Sequence, residues 1–562
     1  MQQLTLALEE LETIQNITNI EAFLDYIPNN LNALKNVLSK IDNKQFEEDD
    51  LGLIFEDLID KIEKKNYGQF YTPKEIVEYM FNFLDIKPNS KILDPTCGCG
   101  IFLSTAYRYL KKINDKPLNN LYGVDLNTTA TELTKINLWL KDGKSNRGWE
   151  KLEENIKTGN SITESKNLDK KAFVWNSVFK DTLVEGGFNF IVGNPPYITL
   201  KKNKDYDPKE ENFSLVIDGP VNAASLIIAR SFSLLKDGGI MSFVLPKTIL
   251  RVSSYSKLRQ FILNHLTILH IVDLGKYFED VKGEQIILFL KKEHQKKYKT
   301  SVKILTDKDK SIKDHQTFNI DSSLFRKYNN FLILDDKKLY PLIDKISIHK
   351  PLELFSDIFR GLSISPTSDL VYRHRNQKSE PIIKGENISK LDYKINYFIE
   401  IEKLINNEKV ERLKGKKIIL QNIFSRESGM ISAIDTHGYL TFDTVTNIFL
   451  KNETINPYYI LGLLNSKLIN FYLIFALFNK SKFTMHTDKN YIGKLPIKIP
   501  VPRLQENVAN IISNLKKSKN YNNAKLNEEV YNIYQIEKEE QEIINKNLLQ
   551  VMSPKSFNYY EG

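Results

Sequence analysis

Cysteine is nearly missing from this chain: 562 residues hold two, Cys97 and Cys99. Two residues apart, they are poorly placed for a structural disulfide, and two thiols do not complete a zinc site. A reducing cytoplasm is their natural setting. The eight histidines, His265, His270 and His294 among them, are scattered without metal-ligand pairing, so no metal is expected. No run of 18 apolar residues occurs, which argues against a membrane-spanning helix. The start, Met1-Gln2-Gln3-Leu4, lacks the basic-then-apolar pattern of a secretory signal. No internal repeat is present. Acidic residues fall short of basic ones, 70 against 79, for a net charge of +9 and a pI of about 8.9. That sign suits a polyanionic partner.

What is there centres on Asn194-Pro195-Pro196-Tyr197. The tetrad follows Phe188-Asn189-Phe190-Ile191-Val192-Gly193, which reads as a buried strand ending in a tight turn. Two prolines fix the backbone and remove two N–H donors. The turn therefore presents an amide, bare carbonyls and one aromatic ring at a strand's carboxyl end, the edge where open α/β sheets bind ligands. This set suits methylation of a planar exocyclic amine. The Asn194 side-chain oxygen and the Pro195 carbonyl can each accept from the NH2 group, drawing its lone pair out of conjugation. Tyr197 offers a face for the base. A plain strand-ending Pro-Pro turn would explain the four residues taken alone.

The upstream sequence favours the chemical reading. Lys91-Ile92-Leu93-Asp94 is a short apolar strand ending in an acid; Pro95-Thr96-Cys97-Gly98-Cys99-Gly100 follows, then a helix over Ile101 to Leu110. Strand, glycine turn and helix let backbone approach a nucleotide-like ligand closely. The pattern is not the dinucleotide fingerprint, so a pyrophosphate is not implied. Leu121-Tyr122-Gly123-Val124-Asp125 is a second strand ending in an acid, roughly 25 residues past the glycines, near the spacing of a ribose-binding carboxylate. A helix-capping role for Asp125 is the alternative.

On these motifs the chain resembles the class I S-adenosylmethionine-dependent methyltransferases that methylate DNA amines, and within them the gamma-class N6-adenine enzymes. Gly68-Gln69-Phe70-Tyr71-Thr72-Pro73 matches the family segment whose Thr-Pro turn closes over the methionine end of the cofactor. The resemblance implies cofactor contacts from Phe70, Thr72, Pro73, Asp94, Pro95, Gly98, Gly100 and Asp125. Asn160 stands where the family usually has an Asp facing the cofactor adenine, and its amide oxygen accepts without charge. The catalytic tetrad matches as Asn194, Pro195, Pro196 and Tyr197, and Phe278 falls where the family places a second aromatic against the extruded base. Gly238 to Pro246 matches the next core strand. Cytosine C5 methylation needs a cysteine after proline, and neither cysteine follows one.

The expected fold is α/β: a mostly parallel Rossmann-like class I sheet, with a helical N-terminal extension and a mixed α+β C-terminal recognition domain. Residues 1–65 carry a helical stripe of Leu51, Ile54, Phe55, Leu58, Ile59 and Ile62. Asp60 and Glu63 with nearby lysines partly match a nuclease site, but the segment is too short and too helical for a nuclease sheet. Residues 66–300 form the catalytic domain, bounded by the polar Lys291 to Lys299; residues 301–510 form the recognition domain and 511–562 a helical tail.

Double-stranded DNA is the expected partner, with a cognate restriction endonuclease or defence-system subunits possible beside it and no membrane. Lys201, Lys202 and Lys204 follow the catalytic turn within reach of a phosphate; Arg373, Arg375 and Arg426 are candidates for guanine edges. The reading is an adenine-specific DNA methyltransferase that extrudes its base. Alternatives are N4-cytosine methylation, methylation of RNA or of a protein glutamine, and a DNA-binding subunit that needs a partner.

Overall fold

The computed structural model describes residues 72–561, apart from 144–145, 211, 279–282, 306–311, 313–316, 329, 402–403, 405–407, 483–484 and 519–522. The expected N-terminal extension and Phe70 lie outside the described residues. The chain divides after Phe331 into two compact units, each described by itself.

The first unit is built on a nine-stranded sheet. In chain order its strands are β1 (Ile92–Asp94), β2 (Leu121–Asp125), β3 (Ile156–Thr158), β4 (Phe188–Gly193), β5 (Leu235–Pro246), β6 (Thr267–Gly275), β7 (Gln285–Lys291), β8 (Lys299–Ile304) and β9 (Thr317–Asp321). Across the sheet they lie in the order β9-β8-β6-β7-β5-β4-β1-β2-β3. β7 runs antiparallel to both β5 and β6, and β9 antiparallel to β8; the other pairings are parallel. The chain steps outward from β1 to β3, then returns to place β4 on the other side of β1. That reversal opens a crevice at the carboxyl ends of β1 and β4.

Sequence dictates these elements directly. β4 is apolar on both faces and almost wholly buried, as central parallel strands are. α1 (Lys74–Asn82) and α2 (Ile101–Lys111) turn Ile76, Val77, Met80, Phe81, Phe102, Leu103, Ala106 and Leu110 into one buried cluster with Ile92, Leu121 and Ile156 of the sheet. Gly100 caps α2 from the left-handed region at φ +87°, and a Cβ there would lie 2.8 Å from Thr134. α3 (Thr128–Lys141) follows β2, and α4 (Ala223–Leu234) precedes β5.

The boundary expected at residue 300 falls inside this sheet. The polar Lys291 to Lys299 stretch is a loop between β7 and β8, and the unit runs on through β9 to Phe331. The reason is that β9 forms the sheet's edge and β8 lies next to it, toward the periphery where lysine-bearing, half-polar strands are tolerated.

The second unit holds two four-stranded sheets. One pairs Ser356–Arg360, Val445–Leu450, Lys417–Gln421 and Ser432–Asp435 antiparallel. The other joins Val371–Tyr372, Phe398–Glu400, Ser379–Ile383 and Leu440–Thr441. Lys417 and Asp435 form a fully buried ion pair at 2.7 Å. The apolar helices Pro457–Leu464 and Lys467–Tyr472 are buried, and the tail follows as Pro502–Ser518, Ala524–Tyr534, Lys538–Val551 and Pro554–Glu561. The first of these tail helices straddles the boundary expected at 510. Among the described residues no single helix is long and apolar enough to cross a membrane.

Candidate active site

Three loops at the sheet's carboxyl edge are stitched together. Asp94 ends β1 almost fully buried, and its Oδ1 accepts the Thr96 N–H at 3.0 Å. Its Oδ2 and the Thr96 hydroxyl are buried without a hydrogen-bond partner among the described residues. Burial pushes the Asp94 carboxyl well above the usual range, opposed by the Thr96 N–H and reinforced by Asp125. Asp125 ends β2; its Oδ2 accepts the Gly98 N–H and its Oδ1 the Asn127 N–H, both at 2.9 Å. Burial raises this acid too, against those two bonds. Beyond β3, the Gly159 N–H donates to the Asp125 carbonyl at 2.8 Å and the Ser161 hydroxyl to the Pro95 carbonyl. A Cβ at Gly98 would meet no atom of the described residues within 4 Å.

The Asn194-Pro195-Pro196-Tyr197 turn meets this edge from β4. Gly193 is required there, because a Cβ would lie 2.7 Å from Asp94 Oδ1. Asn194 Nδ2 donates to Thr72 Oγ1 at 3.1 Å, and the Tyr197 hydroxyl donates to Asn194 Oδ1 at 2.6 Å. Thr72 is buried, so the Thr-Pro segment holds the amide in place. Burial pushes the Tyr197 phenol up, which keeps it protonated as a donor. Tyr197 packs on the core cluster that contains Phe278, itself only 6 % exposed.

Ionic contacts that no sequence pattern signals brace the same edge. Lys247, just past β5, reaches Asp273 at 2.7 Å and Glu284 at 3.1 Å, all three buried. Burial alone would lower this ammonium, but the two acids outweigh it and hold it above its ordinary value. The trio closes the base of the loop that carries Phe278. Arg230 of α4 joins Glu164 and Glu210, and Glu210 accepts from Thr163 and the Glu164 N–H. The segment after the Asn-Pro-Pro-Tyr turn is thereby tied to the segment after Asn160.

The structure brings together Thr72, Asp94, Gly98, Asp125, Asn194 and Tyr197. Asn160 lies beside them on the β3 loop, its amide engaged locally with Asp169 and the Ile162 N–H. Lys201 and Lys202 are exposed past the turn. In the second unit Arg375 is exposed, and the Arg373 guanidinium lies 4.1 Å from the Tyr397 ring centroid. Arg426 is half-buried and donates to the Lys480 carbonyl at 3.1 Å.

The sheet order, the single internal antiparallel strand β7 and the glycine loop at the switch point define a class I methyltransferase fold. Residues 119–278 match the Eco57I restriction-modification methylase family, and residues 380–497 match the TaqI-like C-terminal specificity domain. The chain thus carries an Eco57I-type methylase domain followed by a TaqI-like specificity domain, an order that fits the gamma class. It is 26 % identical over 362 residues to the type II restriction enzyme and methyltransferase RM.Eco57I of Escherichia coli, covering 54 % of this chain and 35 % of that protein. It is 28 % identical over 239 residues to the type II methyltransferase M.VspI of Vibrio sp. (strain 343), covering 42 % and 51 %. The match therefore spans about a third to a half of these relatives' length. In fold the chain is similar to the type IIL restriction-modification enzyme MmeI, solved with DNA: TM-score 0.57, 14 % identity, 93 % of this chain and 80 % of that one.

Proposed function

We propose that this chain methylates N6 of an adenine extruded from double-stranded DNA, with S-adenosylmethionine as donor, in a restriction-modification or related system. The observation that carries the reading is the Asn194 amide, held between two hydroxyls at the carboxyl edge of β4, beside the buried acid that ends β1.

The residues present fit the cofactor. The orphaned Asp94 Oδ2 suits the methionine ammonium. Each Asp125 oxygen takes one backbone N–H, and a carboxylate oxygen accepts more than one bond, which suits a ribose diol. The open space before Gly98 admits the ligand against backbone. When bound, the cofactor supplies an electrophilic methyl group on a sulfonium.

The chain's own residues do the rest. Asn194 Oδ1 and the Pro195 carbonyl accept the two amine hydrogens and hold the nitrogen lone pair out of the ring's conjugation. Thr72 and Tyr197 fix the amide beforehand, so no reorganisation is needed as charge develops on the amine. Tyr197 and Phe278 contact the base, which must leave the stack to be reached. Lys201 and Lys202 meet phosphate near it. The second unit reads sequence, with Arg373 and Arg375 as candidates for base edges.

N4-cytosine methylation is the second reading, since it needs the same acceptors. The leading Asn194 favours adenine, because N4 enzymes more often place Ser there. The specificity domain favours DNA over RNA or protein. Modification sequencing of host DNA, with and without expression, tests the proposal. N6-methyladenine at one short motif is expected, and N4-methylcytosine would change the base. Asn194→Ala should lower turnover about 10²- to 10³-fold, as for loss of one preorganised polar group. Unchanged turnover would overturn the mechanism.

A further inference from the structure

Asn160 occupies a position where a carboxylate would be the obvious acceptor for an adenine amine. Its surroundings explain how an amide serves instead. Asn160 Nδ2 donates to Asp169 Oδ2 at 2.8 Å, while Oδ1 accepts the Ile162 N–H at 3.1 Å. An amide's two ends are nearly isosteric, and only their partners tell them apart. These partners are unambiguous. A carboxylate accepts and a backbone N–H donates, so the flipped amide would set N–H against N–H and oxygen against oxygen. A single orientation survives, with the oxygen's second lone pair still to be used.

Asp169 is itself held. Its Oδ1 accepts the Lys171 N–H at 2.9 Å, its own N–H donates to Ser165 at 3.1 Å, and its carbonyl accepts from Ala172 at 2.9 Å. The loop closes beside Asn160, whose N–H donates to the Lys171 carbonyl at 2.7 Å. The same loop sends the Lys171 ammonium to the Leu126 carbonyl at 2.9 Å, next to Asp125. Residues 165–172 thus return to both expected adenosine contacts at once.

We propose that Asp169 is a positioning residue for the cofactor's adenine: it orients the Asn160 amide and, through a charge-assisted bond, makes its oxygen a stronger acceptor for the exocyclic amine. The inference rests on the cofactor reading above. Donating to a carboxylate polarises the amide, and hydrogen bonds in a chain strengthen one another. A carboxylate placed at position 160 itself would face Asp169 at hydrogen-bond distance, and two like charges that close cannot both ionise.

The test is a charge-swap series on the full chain, read by calorimetric binding of S-adenosylhomocysteine and of its inosine counterpart, which has an oxo group in place of the amine. Wild type should prefer the adenosine form. Asn160→Asp, nearly isosteric, should weaken it about ten- to hundredfold. The double variant Asn160→Asp with Asp169→Asn restores one acceptor and one donor and should recover most of the loss. Asp169→Ala should reduce the preference between the two ligands, the Ile162 N–H alone still holding the amide oxygen. Wild-type affinity in the Asn160→Asp variant, no recovery in the double variant, or an unchanged preference in Asp169→Ala would each overturn the proposal. If wild type binds neither ligand, the cofactor reading itself fails, which is a separate result.

Discussion

His270 makes the first unit acid-sensitive in a calculable way. It lies on β6, 2 % exposed, with its ring stacked on Phe83 at 5.1 Å. Nδ1 is 3.0 Å from the Ser301 carbonyl and Nε2 is 2.8 Å from the Tyr79 hydroxyl. A carbonyl only accepts, so Nδ1 carries the proton and Nε2 takes the bond from Tyr79. Burial lowers the imidazole to about 4, helped by Lys303 and opposed by the Ser301 carbonyl. In the unfolded chain it titrates at about 6.5. Between those values the unfolded state binds a proton that the folded state refuses. The contribution is therefore intact above about pH 6.5 and is lost as pH falls toward 4. The loss is about 2 kcal/mol at pH 5 and about 3 kcal/mol at pH 4. The three tryptophans, Trp139, Trp149 and Trp175, all belong to the first unit, so fluorescence-detected urea unfolding reports it alone. The stability difference between wild type and His270→Gln should shrink by those amounts as pH drops, while shared carboxylate effects cancel. A difference that stays constant within about 1 kcal/mol from pH 7 to 4 would refute the reasoning.

Thiol alkylation should begin at Cys99. Cys97 is 3 % exposed, and burial, with Asp125 and Asp94 nearby, pushes its thiol well up, leaving little thiolate; peptide mapping after limited N-ethylmaleimide treatment should find Cys99 modified first, with cofactor binding lost in step. In the second unit, Lys417→Met would strand a buried carboxylate that also accepts from Tyr393, His437, Gly438 and Tyr439. A loss of about 3–5 kcal/mol is expected, seen as faster hydrogen exchange across Lys417–Gln421; a change under about 1 kcal/mol would contradict the burial argument.

Much of the sheet was legible because its central strands are unbroken apolar runs. Leu121–Asp125 and Phe188–Gly193 have the same limits in sequence and structure. The outer strands were not legible: Lys299–Ile304, next to the edge, opens on three polar residues before Val302 and Ile304, and the polar stretch before it has the composition of a linker. Local motifs exposed the glycine loop and the tetrad, since backbone demands at a turn restrict residue type. Long-range charge contacts left no such mark. Lys247, Asp273 and Glu284 come from three segments, and nothing in their flanking residues distinguishes them from surface charges. The Asn160–Asp169 pair spans a loop without periodicity, so its bond emerges only from the fold.

The adjacency of β1 and β4 has a metric consequence. Ile92 pairs with Phe190 and Leu93 with Ile191, so the glycine loop and the catalytic turn spring from neighbouring strands, about 4.8 Å apart. On the proposed reading, peptide geometry thus sets the spacing of the two strands that carry the donor-side and acceptor-side loops. Side chains on the two loops can be exchanged to retune what is held there, while the backbone spacing of the strands that carry them stays the same.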